Sequence, residues 1–323
     1  MNSNLNVVVI GGGTGQSTIL RGLKQIPDLH ITAIVTVADD GGSTGRLRKA
    51  YHIPAMGDIR SVMIALAESE TLLSTLMSYR FEEGDVMEGQ GELVGHNLGN
   101  IILTALTKKS GSFMDAITMI SHVLNVKGDI VPSTHQVVTL LARMDDGTIV
   151  RGESNIPKAR HKIDEVFYDE AVEASPEALE AISKADVIIL GIGSLYTSLC
   201  CNLIIPKLRN AIQASKTKIV YVSNAMTQSG ETEGYSLEDH VNALMAHGNI
   251  PIDTVIHASD PIPAEILMRY TAEHAQPVVV VEKRHAYTLL NEPLLTFESS
   301  RVRHDPNRIK DVFEGLFKPL RGH

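Results

Sequence analysis

A chain of 323 residues is long enough for one large α/β domain or two small ones, and for a substantial core. Hydrophobic residues make up 43% and charged residues 21%, the make-up of an ordinary soluble globular protein. The formal charge of -9 comes with no basic block or basic-aromatic pattern, which argues against nucleic acid as a partner, and no apolar run reaches the ~18 residues of a membrane span.

In chain order, short β-branched runs alternate with helix-period segments. "NVVVI" (Asn6–Ile10) reads as a strand, "QSTILRGLKQI" (Gln16–Ile26) as a helix and "ITAIVTVA" (Ile31–Ala38) as a second strand, a βαβ opening. Residues 58–125 read as a helical insertion. Residues 130–172 read as a small β insertion, because Asp145-Asp146-Gly147 between apolar runs signals a hairpin. The βα rhythm returns with strands at "DVIILGIG" (Asp186–Gly193), "KIVYV" (Lys218–Val222), "DTVIHA" (Asp253–Ala258) and "PVVVV" (Pro277–Val281), and "NRIKDVFEGLF" (Asn307–Phe317) closes the chain as an amphipathic helix. The pattern predicts one α/β domain over residues 1–323, with a Rossmann-like, doubly wound, mainly parallel sheet carrying both insertions. The only cysteines, Cys200 and Cys201, cannot form a disulfide framework and read as small apolar helix residues. The polar start Met1–Asn6 fits no signal peptide, so a cytoplasmic location is expected.

Open parallel sheets bind ligands outside the carboxyl ends of their strands. The strand exits here are "GGGTGQS", "DDGGSTGR", "GIGSLYTS", "SNAMTQSGET" and "ASDP", all rich in Gly, Ser, Thr, Asn or Asp. The links that lead into strands, such as "PDLH" and "SKA", look like plain solvent turns. Glycine lets backbone N–H groups approach an anion, and the following helix start adds positive partial charge. Gly12, Gly13, Thr14 and Gly15 are therefore candidates for a phosphate cradle; a tight βα turn is the plainer reading. The dinucleotide fingerprint breaks at Gln16, and no Lys follows to make a P-loop.

Asp39 and Asp40 leave the second strand where an acid often holds a ribose hydroxyl; alternatively either could hold Mg2+ against phosphates, or merely cap the next turn. Ser43 and Arg46 follow as a hydroxyl donor and a phosphate-neutralising cation, whereas Arg48 reads as a solvated surface charge. Asp58 suits an N-cap as well as a functional role. In "GHNLGN", Asn97 can cap a helix and His96 reads as structural. Gly193, Ser194, Tyr196, Ser198 and Asn224 complete the candidate ligand-binding set on the remaining exits. No Ser-His-Asp spacing and no Cys/His zinc pattern occurs.

"GGGTGQSTILRGLK", "VTVADDGGSTGRLR", "GDIR", "GHNLGN", "GSLYTS" and "NAMTQSGETEGYSLEDHV", in this order, resemble the bacterial gluconeogenesis factor family, which is distantly similar to 2-phospho-L-lactate transferase. The resemblance implies a modified Rossmann-like fold, binding of UDP-sugars such as UDP-N-acetylglucosamine, and a role in cell shape and wall synthesis during growth on gluconeogenic carbon sources. By the same resemblance Tyr270 and Arg303 are nucleotide-sugar contacts, and an aspartate after the second strand, Asp39 or Asp40, is a metal ligand. Ile192 and Cys201 stand where the family leads one to expect proline.

Two functions follow as expectations. The first is a nucleotide-sugar-binding regulator, with no established catalytic activity, whose bound conformation a protein partner reads. The second is a nucleotide-dependent transferase of a phosphoryl-linked group. A dinucleotide such as NAD shares the ribose and diphosphate and would suit the same crevice. The oligomeric state is not set by the sequence, and a homo-oligomer is compatible with it.

Overall fold

The structure is a computed structural model that describes residues 4–68, 72–85, 91–297 and 300–321. Its centre is a seven-stranded sheet in the order β10-β9-β8-β7-β1-β2-β3, with every neighbouring pair parallel. β1 (Leu5–Gly11), β2 (Leu29–Val35) and β3 (Asp129–Pro132) form one half. β4 (Leu140–Met144), β5 (Ile149–Arg151) and β6 (Ile163–Tyr168) form a separate antiparallel sheet, the β insertion. β7 (Val187–Leu190), β8 (Lys218–Val222), β9 (Thr254–Ala258) and β10 (Thr288–Glu292) build the other half. β11 (Leu295–Thr296) and β12 (Arg303–His304) pair with each other in the tail.

The inner strands are apolar runs because the sheet is covered on both faces: Val7, Val9 and Ile10 have no exposed surface, nor do Ile188 to Leu190. The cover comes from α1 (Gly13–Leu23), packed on α3 (Gly57–Leu66) and α12 (Pro306–Phe317), and from α7 (Pro176–Lys184), packed on α9 (Pro206–Ser215). α2 (Gly42–Tyr51) precedes the helical insertion, which α3 shares with α4 (Leu72–Ser78), α5 (Leu98–Ser110) and α6 (Phe113–Val123). The rest are α8 (Cys201–Leu203), α10 (Leu237–Gly248) and α11 (Ala264–Ala272). Among the described residues no helix is long and apolar enough to cross a membrane.

The chain runs outward from β1 to β3, then returns to start again at β7, so the strand order reverses between β1 and β7. That reversal opens a crevice above the two strand ends. Two expectations need correction. Asp129–Pro132 pairs with β2, so the β insertion begins after it. "PVVVV" is extended but joins no regular strand: Val278 N–H donates to the Ala225 carbonyl, and only Met226 and Pro277 form a bridge. The seventh strand is Thr288–Glu292, whose "TLLNE" is partly polar because it lies at the sheet edge.

Candidate functional site

The glycine-rich exit of β1 is the first turn of α1. Gly12 is the N-cap, Gly13 has φ +63° and gives its backbone N–H to the Asp58 carboxylate, and Gly12 offers no side chain to cap this end. Gly15 lies directly against the exit of β7; a Cβ there would overlap the Ile192 carbonyl. Backbone therefore meets backbone at the switch point, and only glycine permits it. The exit of β7 continues into a π-helical turn, Leu195–Cys200. The exit of β8 is tied to it: Asn224 Nδ2 donates to the Gly193 carbonyl at 2.8 Å, and Ser194 Oγ to Gln228 Oε1 at 2.8 Å.

These three exits and the tail enclose a cavity of about 560 Å³. Thr14, Gly15, Asn224, Gln228, Tyr270 and Arg303 are among its walls. The Tyr270 hydroxyl accepts from Val302 N–H at 3.1 Å, and the Arg301 guanidinium stands 5.9 Å from its ring centre. Arg303 is exposed on β12. Thr18 and Arg21 also line the cavity, on the face of α1 that continues from Thr14.

A second feature lies on the β2 side. Asp39 Oδ1 accepts from Gly41 N–H at 2.8 Å, and burial pushes its carboxyl up against the hydrogen bonds of Gly41 and Thr44. Asp40 turns the other way and accepts from Ser154 N–H at 2.9 Å, in the 3-10 segment Glu153–Lys158 of the β insertion. The two aspartates therefore do not act as one pair, and neither lines the cavity. Asp58 sits in the first turn of α3, whose N-cap is Met56, so it is not the cap. Its carboxylate faces Gly12, where a Cβ would come within 2.5 Å, and burial together with Asp39 pushes it up to about 7. Glu153 is pushed up to about 8 by burial and by Asp39, Glu231, Asp58 and Asp40. Hard oxygen donors that repel one another suit Mg2+, which keeps waters and takes one or two carboxylates besides substrate phosphates. Asp39 and Asp58 fit that description. Among the described residues the only three-ligand group within 4.8 Å is Asp145, Asp146 and His161, all exposed on the β insertion.

Other expected residues serve the fold. Ser43 Oγ accepts from Asn97 N–H at 3.1 Å and meets His96 Nδ1 at 3.2 Å; Asn97 itself caps α5. Both Ser43 and Asn97 are buried, so they join α2 to α5 rather than face the crevice. Arg46 donates to the Val94 carbonyl. Tyr196 is buried with its hydroxyl on Tyr235 at 2.7 Å. Ser198 lies behind Gly193; a Cβ placed on Gly193 would come within 3.2 Å of the Ser198 Cβ. Arg48 is not a surface charge: it is 8% exposed and donates to the carbonyls of Ala38, Asp39 and Val138, fixing the exit of β2.

Of the three acids on the site, Asp58 suits a cap and a functional role equally in the sequence, and the other two carry no sign there. Glu153 lay in "RGESNI", which was read only as part of the hairpin. Glu231 is buried and braces the exit of β8: it accepts from Thr197 Oγ1 at 2.9 Å and Gln228 Nε2 at 3.0 Å. Beside it Gly230, at φ +80°, rests on the Pro157 carbonyl so closely that a Cβ would overlap it. The signal for this last contact was the "SG" dipeptide, which marks a backbone conformation but names no partner.

The comparisons agree with this architecture. The family model of 2-phospho-L-lactate transferase CofD matches residues 7–295. A gluconeogenesis factor of Halalkalibacterium halodurans is 45% identical over 316 residues, covering 96% of both chains. The gluconeogenesis factor of Bacillus subtilis is 43% identical over 323 residues, covering 98% of this chain and 100% of that one. A crystal structure of a Bacillus halodurans protein superposes with a TM-score of 0.91 at 44% identity, over 96% of this chain and 99% of that chain. This chain belongs to the 2-phospho-L-lactate transferase CofD family, and in it to the gluconeogenesis factors.

Proposed function

We propose that this gluconeogenesis-factor chain binds a nucleotide sugar of the UDP-N-acetylglucosamine class, and that the bound form regulates cell shape and wall synthesis during gluconeogenic growth. One observation carries the reading. Thr14 and Gly15, Asn224, Tyr270 and Arg303, drawn from four separate stretches of sequence, wall a single cavity at the switch point. Backbone N–H groups at the start of α1 and the planar fork of Arg303 suit the diphosphate. The Tyr270 ring, anchored through its hydroxyl, offers a face to the sugar. Mg2+ at Asp39 and Asp58 would neutralise charge beside the cradle. A protein partner would read the loops that the ligand orders.

Calorimetric titration tests this. Wild-type chain should bind UDP-N-acetylglucosamine, and Tyr270→Ala and Arg303→Ala should each weaken binding about tenfold or more. No heat at millimolar ligand would sink the proposal.

A second reading, transfer of a phosphoryl-linked group, is favoured by the family match and by Asp58 and Glu153, two acids that hold protons near neutral pH. Such chemistry rests on positioning and charge neutralisation, so it needs no nucleophilic triad. Here Asp58 would orient the phosphate-side groups at Gly12 and Glu153 would exchange a proton. Turnover of a nucleotide donor that Asp58→Asn abolishes would support it; binding without product under every donor tried would reject it.

A further inference from the structure

The cavity at the switch point has a neighbour. A second cavity of about 420 Å³ opens over the carboxyl ends of β8, β9 and β10, and the two adjoin at Ala225, which lines both. Their linings differ in chemistry. The first carries Arg21 and Arg303, two threonines of α1 and the amide side chains Asn224 and Gln228. The second has no lysine or arginine; Ile262, Leu267, Val278, Val280 and Leu295 dominate it. Its polar groups are few. Asp260 is already used, accepting from Leu294 and Leu295 N–H and from Arg308. His257 is 8% exposed, and its Nδ1 meets Ser223 Oγ at 3.1 Å, which leaves Nε2 as the ring nitrogen for the cavity. Asn291 stands exposed at the rim and offers both a donor and an acceptor.

We infer that this second cavity is the nucleobase subsite of the nucleotide ligand, with His257 Nε2 and the Asn291 amide meeting the edge of the base. The inference rests on the nucleotide-sugar reading above and adds the orientation of the ligand. A base is flat, largely apolar on its faces and rich in donors and acceptors along its edge. Apolar walls with two polar contacts match it, and the lack of a cation makes the cavity unsuited to a phosphate. The cationic, threonine-rich cavity next to it matches the diphosphate and the sugar. Burial lowers the pKa of His257, so the ring is neutral and one nitrogen can accept while the other donates. The ligand therefore runs across the sheet edge from β10 towards α1, with its base far from Asp39. The ribose role expected for that residue would fall elsewhere.

Two variants and one spectrum test this. Val280→Trp fills the second cavity from a half-buried position on an extended segment. Asn291→Leu removes the amide from an exposed one, with little risk to folding. Each should weaken UDP-N-acetylglucosamine and uridine 5′-monophosphate by about tenfold, the worth of a desolvated ring with an edge hydrogen bond. With wild-type chain, the uracil H5 and H6 protons should show Overhauser contacts to methyls of Val278, Val280 or Leu295. Unchanged affinity in both variants, or Overhauser contacts to Thr14 and Thr18 methyls instead, overturns the subsite while leaving nucleotide-sugar binding intact. Absence of any binding to wild-type chain overturns both.

Discussion

Glu238, at the start of α10, and the acids beside the crevice, Asp58 and Glu153, are the same kind of group handled in opposite ways. Burial pushes Glu238 up, but hydrogen bonds from His285 Nε2 at 2.9 Å and from the N–H groups of Glu282 and Val281 outweigh it and hold the carboxyl at about 2. Burial pushes Asp58 to about 7 and Glu153 to about 8, where neighbouring carboxylates add to the effect and only the Gly13 N–H opposes it at Asp58, together with the charge of Arg60. Burial pushes all three up, and it is the donors around Glu238 that reverse its sign. Glu238 is a finished structural joint. The crevice acids have few such donors: Gly13 N–H at Asp58, whereas burial and neighbouring carboxylates dominate at Glu153.

Of the substitutions, the largest effect is expected at Glu238. Glu238→Gln turns an acceptor-only group into one with its own donors, facing Val281 and Glu282 N–H, and should cost about 2–3 kcal/mol in urea unfolding. A loss below about 0.5 kcal/mol would mean the joint carries nothing. Next is pH. An acid whose native pKa is raised keeps protons that the unfolded chain has released, so stability falls as pH rises between the two values. For Asp58 the window runs from 3.8 to about 7, and for Glu153 from 4.5 to about 8. Unfolding free energy should therefore fall from pH 5 to pH 8 by several kcal/mol, at most about 1.4 kcal/mol per pH unit for each acid within its window, and Mg2+ should restore part of it. Glu238 has the opposite sign: its contribution is complete above 4.5 and is lost as pH falls towards about 2.

Asp58→Asn sharpens the contrast with a smaller effect. It should stabilise the ligand-free chain by about 1 kcal/mol at pH 7.5, flatten the slope and remove the response to Mg2+. A steeper slope in the variant would contradict the assignment. Glu153→Gln should act in the same direction by less than about 1 kcal/mol, because this acid is only partly buried.

Much of the framework was legible. Buried parallel strands read as apolar runs, so β1, β2, β7, β8 and β9 were found, and Asp-Gly located the β4–β5 hairpin, with Gly147 at φ +84°. "PVVVV" misled because a β-branched run reports burial of its side chains, whereas its backbone bonds go to a loop carbonyl and to the Glu238 carboxylate. Arg48 misled for a related reason: the carbonyl of Val138 that it meets lies far along the chain, and composition cannot show it. At the site, the glycine exits of β1 and β7 were readable from residue type alone. Tyr270 and Arg303 came only through family resemblance, since a helix tyrosine and a tail arginine carry no local sign of a shared wall. Glu153 was hidden for the same reason, because the segment that brings it to Asp40 folds back from the β insertion.

The seat of Gly230 on the Pro157 carbonyl has a mechanical consequence. The exit of β8 leans there, main chain upon main chain, on the segment that also grips Asp40 through Ser154. With no side chain between them to yield, a shift of that exit is passed to the outlying three-stranded sheet, and the two are geared together by contact.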